Sequence, residues 1–187
     1  MSETFDDYLW GRRHKLLFGV QRSIRYHSRR RRFFDTWGRI TDTISVVFGS
    51  TSATAIFQGW HRLGLAAGFT VAFFSAINLA VGTVNASRTH HDLVRRFSEL
   101  EKRIIANLSP SEEELVGWER TRLDIEMDEP PVLYVLDSIC HNEMLRAEGS
   151  TDPRVPIAWY QRLFANFFDI RQHTIESPNR QATQQAG

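Results

Sequence analysis

The sequence predicts an all-α membrane protein in which a two-helix transmembrane hairpin joins a helical cytoplasmic region. Three observations carry that reading. The 25 residues 63–87, LGLAAGFTVAFFSAINLAVGTVNAS, contain no charged side chain, and about 20 apolar residues suffice to cross a hydrocarbon layer about 30 Å thick. The stretch 43–60, TISVVFGSTSATAIFQGW, is also uncharged, and only His61 and Arg62 separate the two. Charge is segregated along the chain: residues 1–42 hold ten basic and five acidic residues, 43–87 hold Arg62 alone, and 88–187 hold twelve basic and seventeen acidic residues. Averages hide this. At 187 residues, 42% hydrophobic and 24% charged, with a mean hydropathy of -0.34, the composition alone would suggest one soluble domain.

Residues 1–39 read as a basic amphipathic cytoplasmic helix. Leu16, Val20 and Ile24 recur at four-residue intervals, so residues 8–32 form a helix whose basic face is expected to meet lipid headgroups. The longest apolar run here, LLFGV at 16–20, is shorter than the core of a signal peptide. Arg29, Arg30, Arg31 and Arg32 follow in RYHSRRRRFFDTWGR. Beside a span, such a run gains about 1 kcal/mol per residue from anionic lipid. Nucleic acid and an intermolecular salt-bridge role are the other readings; lipid is preferred over nucleic acid because neither aromatic interleaving nor zinc-ligand spacing accompanies the run.

The hairpin is expected over residues 40–87, with spans at about 43–60 and 63–84 joined by QGWHR. The first span is the weaker, since six of its residues are Ser or Thr. Small residues recur every four positions: Gly64, Gly68, Ala72, Ala76 and Ala80 in the second span, and Thr41, Ser45, Gly49 and Ala53 in the first. In lipid, helices associate through close backbone approach along such rows. Asn78, with Ser75 three residues earlier, is a pore-lining candidate, and an interhelical hydrogen bond inside the hairpin is the alternative. The arginine run precedes the spans and Arg88, His90, His91, Arg95 and Arg96 follow them, whereas the connection holds only His61 and Arg62. The positive-inside rule places both termini in the cytoplasm, with Phe33, Phe34, Trp37 and Trp60 as interfacial anchors.

Residues 88–176 read as helices. Leu93, Phe97, Leu100 and Ile104 follow a 4, 3, 4 spacing, an apolar seam that suggests the second span continues as a helix. In NLSPSEEELVGW, Ser109 and Glu112 are expected to form a capping box around a helix over 110–127. Asp128 to Pro131 stop it, a helix over 132–149 ends at Gly149, and a last helix over 157–173 gathers Tyr160, Leu163, Phe164, Phe167 and Phe168 on one apolar face. The tail 177–187 has too little apolar surface to order itself.

Little chemistry is visible. Cys140 and Glu143 have the spacing of metal ligands on one helix face, but His141 points elsewhere and further ligands are not evident. No catalytic residue, cofactor or metal is assigned, and a single cysteine excludes an intramolecular disulfide.

The stretch RYHSRRRRFF, the two-span hairpin, the helix RTHHDLVRRFSELE and a helical tail resemble, over residues 23–108, the SLATT proteins, the SMODS and SLOG-associating two-transmembrane effectors of bacterial conflict systems. MDEPPVLYVLDSICHNEMLRAEG is similar to the carboxy-terminal part of related bacterial two-span proteins. The resemblance implies an inner-membrane effector of anti-phage defence, a homo-oligomer that forms a pore or disrupts the membrane when a nucleotide-signalling sensor triggers it. Two other readings stand beside it: a non-lethal membrane-anchored scaffold that recruits a cytoplasmic partner, and a soluble all-α protein with the hairpin buried.

Overall fold

The computed structural model describes residues 2–170. It is 80% helix, without strands among the described residues. Six helices follow in order: α1 Ser2–Phe57, α2 His61–Val81, α3 Thr83–Ala106, α4 Glu112–Glu126, α5 Tyr134–Ala147 and α6 Trp159–Phe164. The chain divides into two compact units, Met1–Ser28 with Asp92–Gly187, and Arg29–His91. The second is wider than the expected hairpin at 40–87, because Asp35 accepts a hydrogen bond from Ser87 and Phe34 stacks on His90 at 5.7 Å.

The first unit packs around the seam on α3. Leu93, Phe97, Leu100 and Ile104 are buried together with Leu16 and Val20 of α1 and Ile125 of α4. The apolar face of α1 is therefore covered by protein over this stretch. Arg13 donates to the carbonyls of Ile104 (2.9 Å) and Asn107 (3.1 Å), which places a cation on the negative end of α3. Arg12 binds Glu119 through two hydrogen bonds, 2.9 and 2.6 Å, and its pKa is raised chiefly by that partner.

In this unit the start of α4 and the length of the last helix differ from expectation. The capping box on α4 is formed by Ser111 and Glu114, not Ser109 and Glu112. SPSEEE offers both frames. Glu114 in the later one accepts from the Ser111 backbone (2.9 Å) and from Asn107 (3.1 Å), and the first of these bonds does most to hold its pKa below the ordinary carboxylate value. Among the described residues the last helix is six residues long where the sequence predicts one over 157–173, residues 171–173 lying outside them: after α6 the chain turns so that Asp169 accepts from the backbone N–H groups of Tyr134 (2.9 Å) and Val135 (3.0 Å). Asp169 thus satisfies two orphan donors at the start of α5, and Leu163, Phe164, Phe167 and Phe168 stay exposed. Helix α5 ends as expected at Gly149 (φ 68°). The tail 177–187 lies outside the described residues.

A second core in the same unit gathers Tyr26, Val135, Leu136, Cys140, Val155 and Ala165. Asn142 locks the loop over it, accepting from Val155 N at 2.9 Å and donating to Val155 O at 2.7 Å.

Candidate functional site

In the unit Arg29–His91, α1 runs to Phe57 without a break and reverses through Gln58, Gly59 and Trp60. Gly59 (φ 78°) supplies the left-handed residue of the turn, and Trp60 N donates to Ala55 O at 2.8 Å. The return helix does not run on as the sequence suggests. It breaks at Gly82, which is left-handed (φ 60°, ψ 44°) and whose N–H reaches Asn78 O at 3.0 Å. Glycine adopts that conformation without a Cβ penalty.

The stretches Asp6–Phe57 and His61–Ala106 each contain an 18-residue segment long and apolar enough to cross a membrane, and each of these segments is only 11% buried. A core helix of that composition would be mostly covered. Here Phe57 is 92% exposed, Leu79 84% and Phe69 81%, with Val46, Leu65 and Phe73 also outward.

The hydroxyl groups of the first segment explain how so many Ser and Thr residues fit there. Thr43, Ser50, Thr51 and Thr54 each donate to the carbonyl four residues earlier, at 2.8 to 2.9 Å. Ser52 instead crosses to α2 and donates to Gly64 O at 2.7 Å. Ser45 is the exception, with no hydrogen-bond partner among the described residues. It lies in an open cleft of about 380 Å³ lined by Thr41, Asp42, Ser45, Ser75, Asn78, Thr83 and Asn85 together with Leu79, Gly82 and Val84.

Both pore-lining candidates therefore share one cleft. Ser75 is exposed and without a hydrogen bond among the described residues. Asn78 is half-buried, and its Oδ1 accepts from Thr83, so its bond bridges the break between α2 and α3 and not the two arms of the hairpin. Asp42 and Asn85, missed by the sequence reading, complete the polar lining. The chain matches no known family model, no curated protein and no solved structure.

The helix-packing candidates divide. Gly64 is buried against α1, where a Cβ would lie 2.8 Å from Ile56 Cγ1 and 3.3 Å from Ser52 O, and a Cβ on Gly68 would lie 3.4 Å from Ser52 Oγ. Ala72, Ala76 and Ala80 are exposed, as is Ala53, and a Cβ on Gly49 would meet nothing within 4 Å. A strict four-residue row turns about 40° per step on a helix of 3.6 residues per turn, so it leaves the contact line after two steps. The covered positions of α2 follow a shorter mean spacing through Gly64, Ala67, Val71 and Phe74.

The four arginines also diverge. Arg31 and Arg32 are exposed, while Arg29 and Arg30 are half-buried. Arg30 lies over the Phe34 ring at 4.6 Å, and Arg31 pairs with Asp35 at 3.6 Å. Consecutive residues point about 100° apart, so four in a row cannot share one face.

The other concentration of titratable groups is in the first unit. His27 meets Glu129 at 3.0 Å with the imidazole almost fully buried. Arg22 Nε lies 3.4 Å from Asp137 without the alignment of a hydrogen bond, and His141 Nδ1 is buried without a partner. Burial raises the Asp137 pKa, against the pull of Arg22. Burial first, then Arg22, lowers that of His141. Among the described residues, no group of three or more His, Cys, Asp or Glu is placed to hold a metal ion, and Cys140 is buried in the second core.

His141 gives a pH prediction. Its folded-state pKa lies below the unfolded value near 6.5, so the unfolded chain binds more protons there, and the stability due to neutral His141 is lost as pH falls below about 6.5 and through the folded value. Asp137 has the opposite sign, gaining stability as pH falls through its raised folded value. Urea midpoints at pH 7.5 and 5.5 should fall less for His141→Gln than for the wild type. Equal falls would refute the assignment.

Proposed function

We propose that the chain is an integral inner-membrane protein that crosses the bilayer twice through its hairpin, keeps both termini in the cytoplasm and assembles from copies of itself into a pore. The observation that supports this reading is the contrast within one surface. The outward side chains are apolar and most exposed hydroxyls are back-bonded to their own helix, so they need no water. A single cleft holds Asp42, Ser45, Ser75 and Asn85 without internal hydrogen bonds. In hydrocarbon each unsatisfied group, here Ser45 and Ser75 within the spans, costs several kcal/mol. Water-filled space between copies removes that cost, and the exposed small residues Ala72, Ala76 and Ala80 let a second copy approach closely. Arg31 and Arg32 are outward for anionic headgroups. The role as an anti-phage effector, and the nucleotide-signalling sensor as trigger, are supported by the SLATT resemblance alone, and no enzymatic activity is proposed.

A second reading has its own support. Trp159 (75% exposed), Leu163 and Phe168 are outward apolar side chains on the first unit, which suits a scaffold that recruits a partner. Inducible expression in bacterial cells separates the readings, with dye entry recorded alongside partition into carbonate-washed membranes. A pore gives membrane-bound protein and rapid dye entry, slowed severalfold by Asn78→Leu. Membrane-bound protein in intact cells favours the scaffold. Recovery in the supernatant would sink both.

A further inference from the structure

Between Asp35 and Asp92 the chain contains one acidic residue, Asp42. It stands at the head of the first span, exposed, and it lines the same cleft as Ser45, Ser75 and Asn78. No hydrogen bond or ion pair engages it among the described residues. The nearest cation along the chain, Arg39, donates instead to the Asp35 carbonyl at 3.2 Å. An ionisable side chain beside a span is expensive unless it faces water or a partner, and among the described residues Asp42 faces the cleft. Its volume of about 380 Å³ corresponds to about a dozen waters at their liquid volume, enough for a hydrated monovalent cation.

From this we infer that Asp42 is a cation-attracting site at the cytoplasmic mouth of the pathway, with Ser45, Ser75 and Asn78 as the neutral oxygen ligands that follow it inward. The inference rests on the pore reading above. Repeated around an assembly, Asp42 forms a ring of carboxylates, the arrangement by which cation channels exclude anions. Selectivity then belongs to one residue while the opening belongs to the hairpin, so the two can be altered separately.

The test is the reversal potential of the full-length protein in planar bilayers under a KCl gradient. Wild type should favour K⁺ over Cl⁻. Asp42→Asn should lower the permeability ratio by at least about fivefold, the Boltzmann factor for attraction of one cation to a single unit charge across about 4 Å of water, and Asp42→Lys should invert it. Glu113→Gln, the same change of charge at an exposed position on α4, should leave it unmoved. Conductance whose selectivity ignores both Asp42 variants overturns this inference and leaves the pore standing. Absence of any conductance from the wild type overturns the pore, and the inference with it.

Discussion

Phe97→Ala should lower the unfolding free energy of the first unit by about 3–5 kcal/mol, the range for emptying a buried aromatic site. Phe97 is fully buried on α3 and belongs to the cluster that joins Leu16 and Val20 of α1, Leu100 and Ile104 of its own helix and Ile125 of α4. Its ring also stacks on His27 at 5.8 Å, so truncation removes one wall of the His27–Glu129 pair as well as the packing. A cavity between three helices collapses poorly, because polar contacts also join them: Arg13 of α1 on the α3 carbonyls, Arg12 of α1 on Glu119 of α4, and Arg96 of α3 on Asp128 just past α4. Urea unfolding of the micellar protein should therefore show an early loss of this unit's helicity, while the helicity of the apolar hairpin persists. The transition is consequently not two-state in the variant. A loss below about 1 kcal/mol would mean that Phe97 is not the centre of the core.

That seam was legible in the sequence because periodicity is a local property. Leu93, Phe97, Leu100 and Ile104 declare a face whatever they pack against, and so do Leu16 and Val20. What covers the face is not local. Asp169 ends the last helix early by capping α5 at Tyr134 from 35 residues away, and Glu129 meets His27 across 102 residues. Neither pairing leaves a trace in spacing. The same distinction runs through the cleft. Ser75 and Asn78 stand out as polar residues in an apolar run, but the addition of Thr41, Asp42 and Ser45 depends on the antiparallel register of α1 and α2, which is set by the turn at Gly59 and the break at Gly82. The small-residue rows show the converse limit. Their four-residue repeat is plain in the sequence, yet 3.6 residues per turn carries Ala72, Ala76 and Ala80 round to the exposed side, so only Gly64 and Gly68 reach α1.

Gly64→Ile should open the hairpin, whereas Gly49→Ile should not, although the two glycines look equivalent in the sequence. At Gly64 even a methyl would meet Ile56 Cγ1 at 2.8 Å and the Ser52 carbonyl at 3.3 Å. The first contact is a side chain that can turn away; the second is backbone, which cannot yield without moving α1. Overpacking of this kind costs about 1–3 kcal/mol, and the separation also breaks the Ser52 to Gly64 hydrogen bond, adding about 0.6 kcal/mol at the average measured within membranes. Lipid offers no hydrophobic force to restore the contact, so the loss falls directly on hairpin closure. At Gly49 a new Cβ meets nothing within 4 Å, and within one chain the cost is confined to small changes in helix propensity. The comparison is made by SDS titration in mild-detergent micelles, with a nuclear Overhauser contact between the Ser52 β protons and the residue 64 backbone as the marker of a closed hairpin. Gly64→Ile should lose that contact at the lowest SDS concentrations, and Gly49→Ile should keep it at the wild-type midpoint. If Gly49→Ile nevertheless lowers dye entry in cells while its hairpin stays closed, the surface around Gly49 is where a second copy packs. Equal damage at both positions would mean that the close approach of α1 and α2 is not what holds the hairpin together.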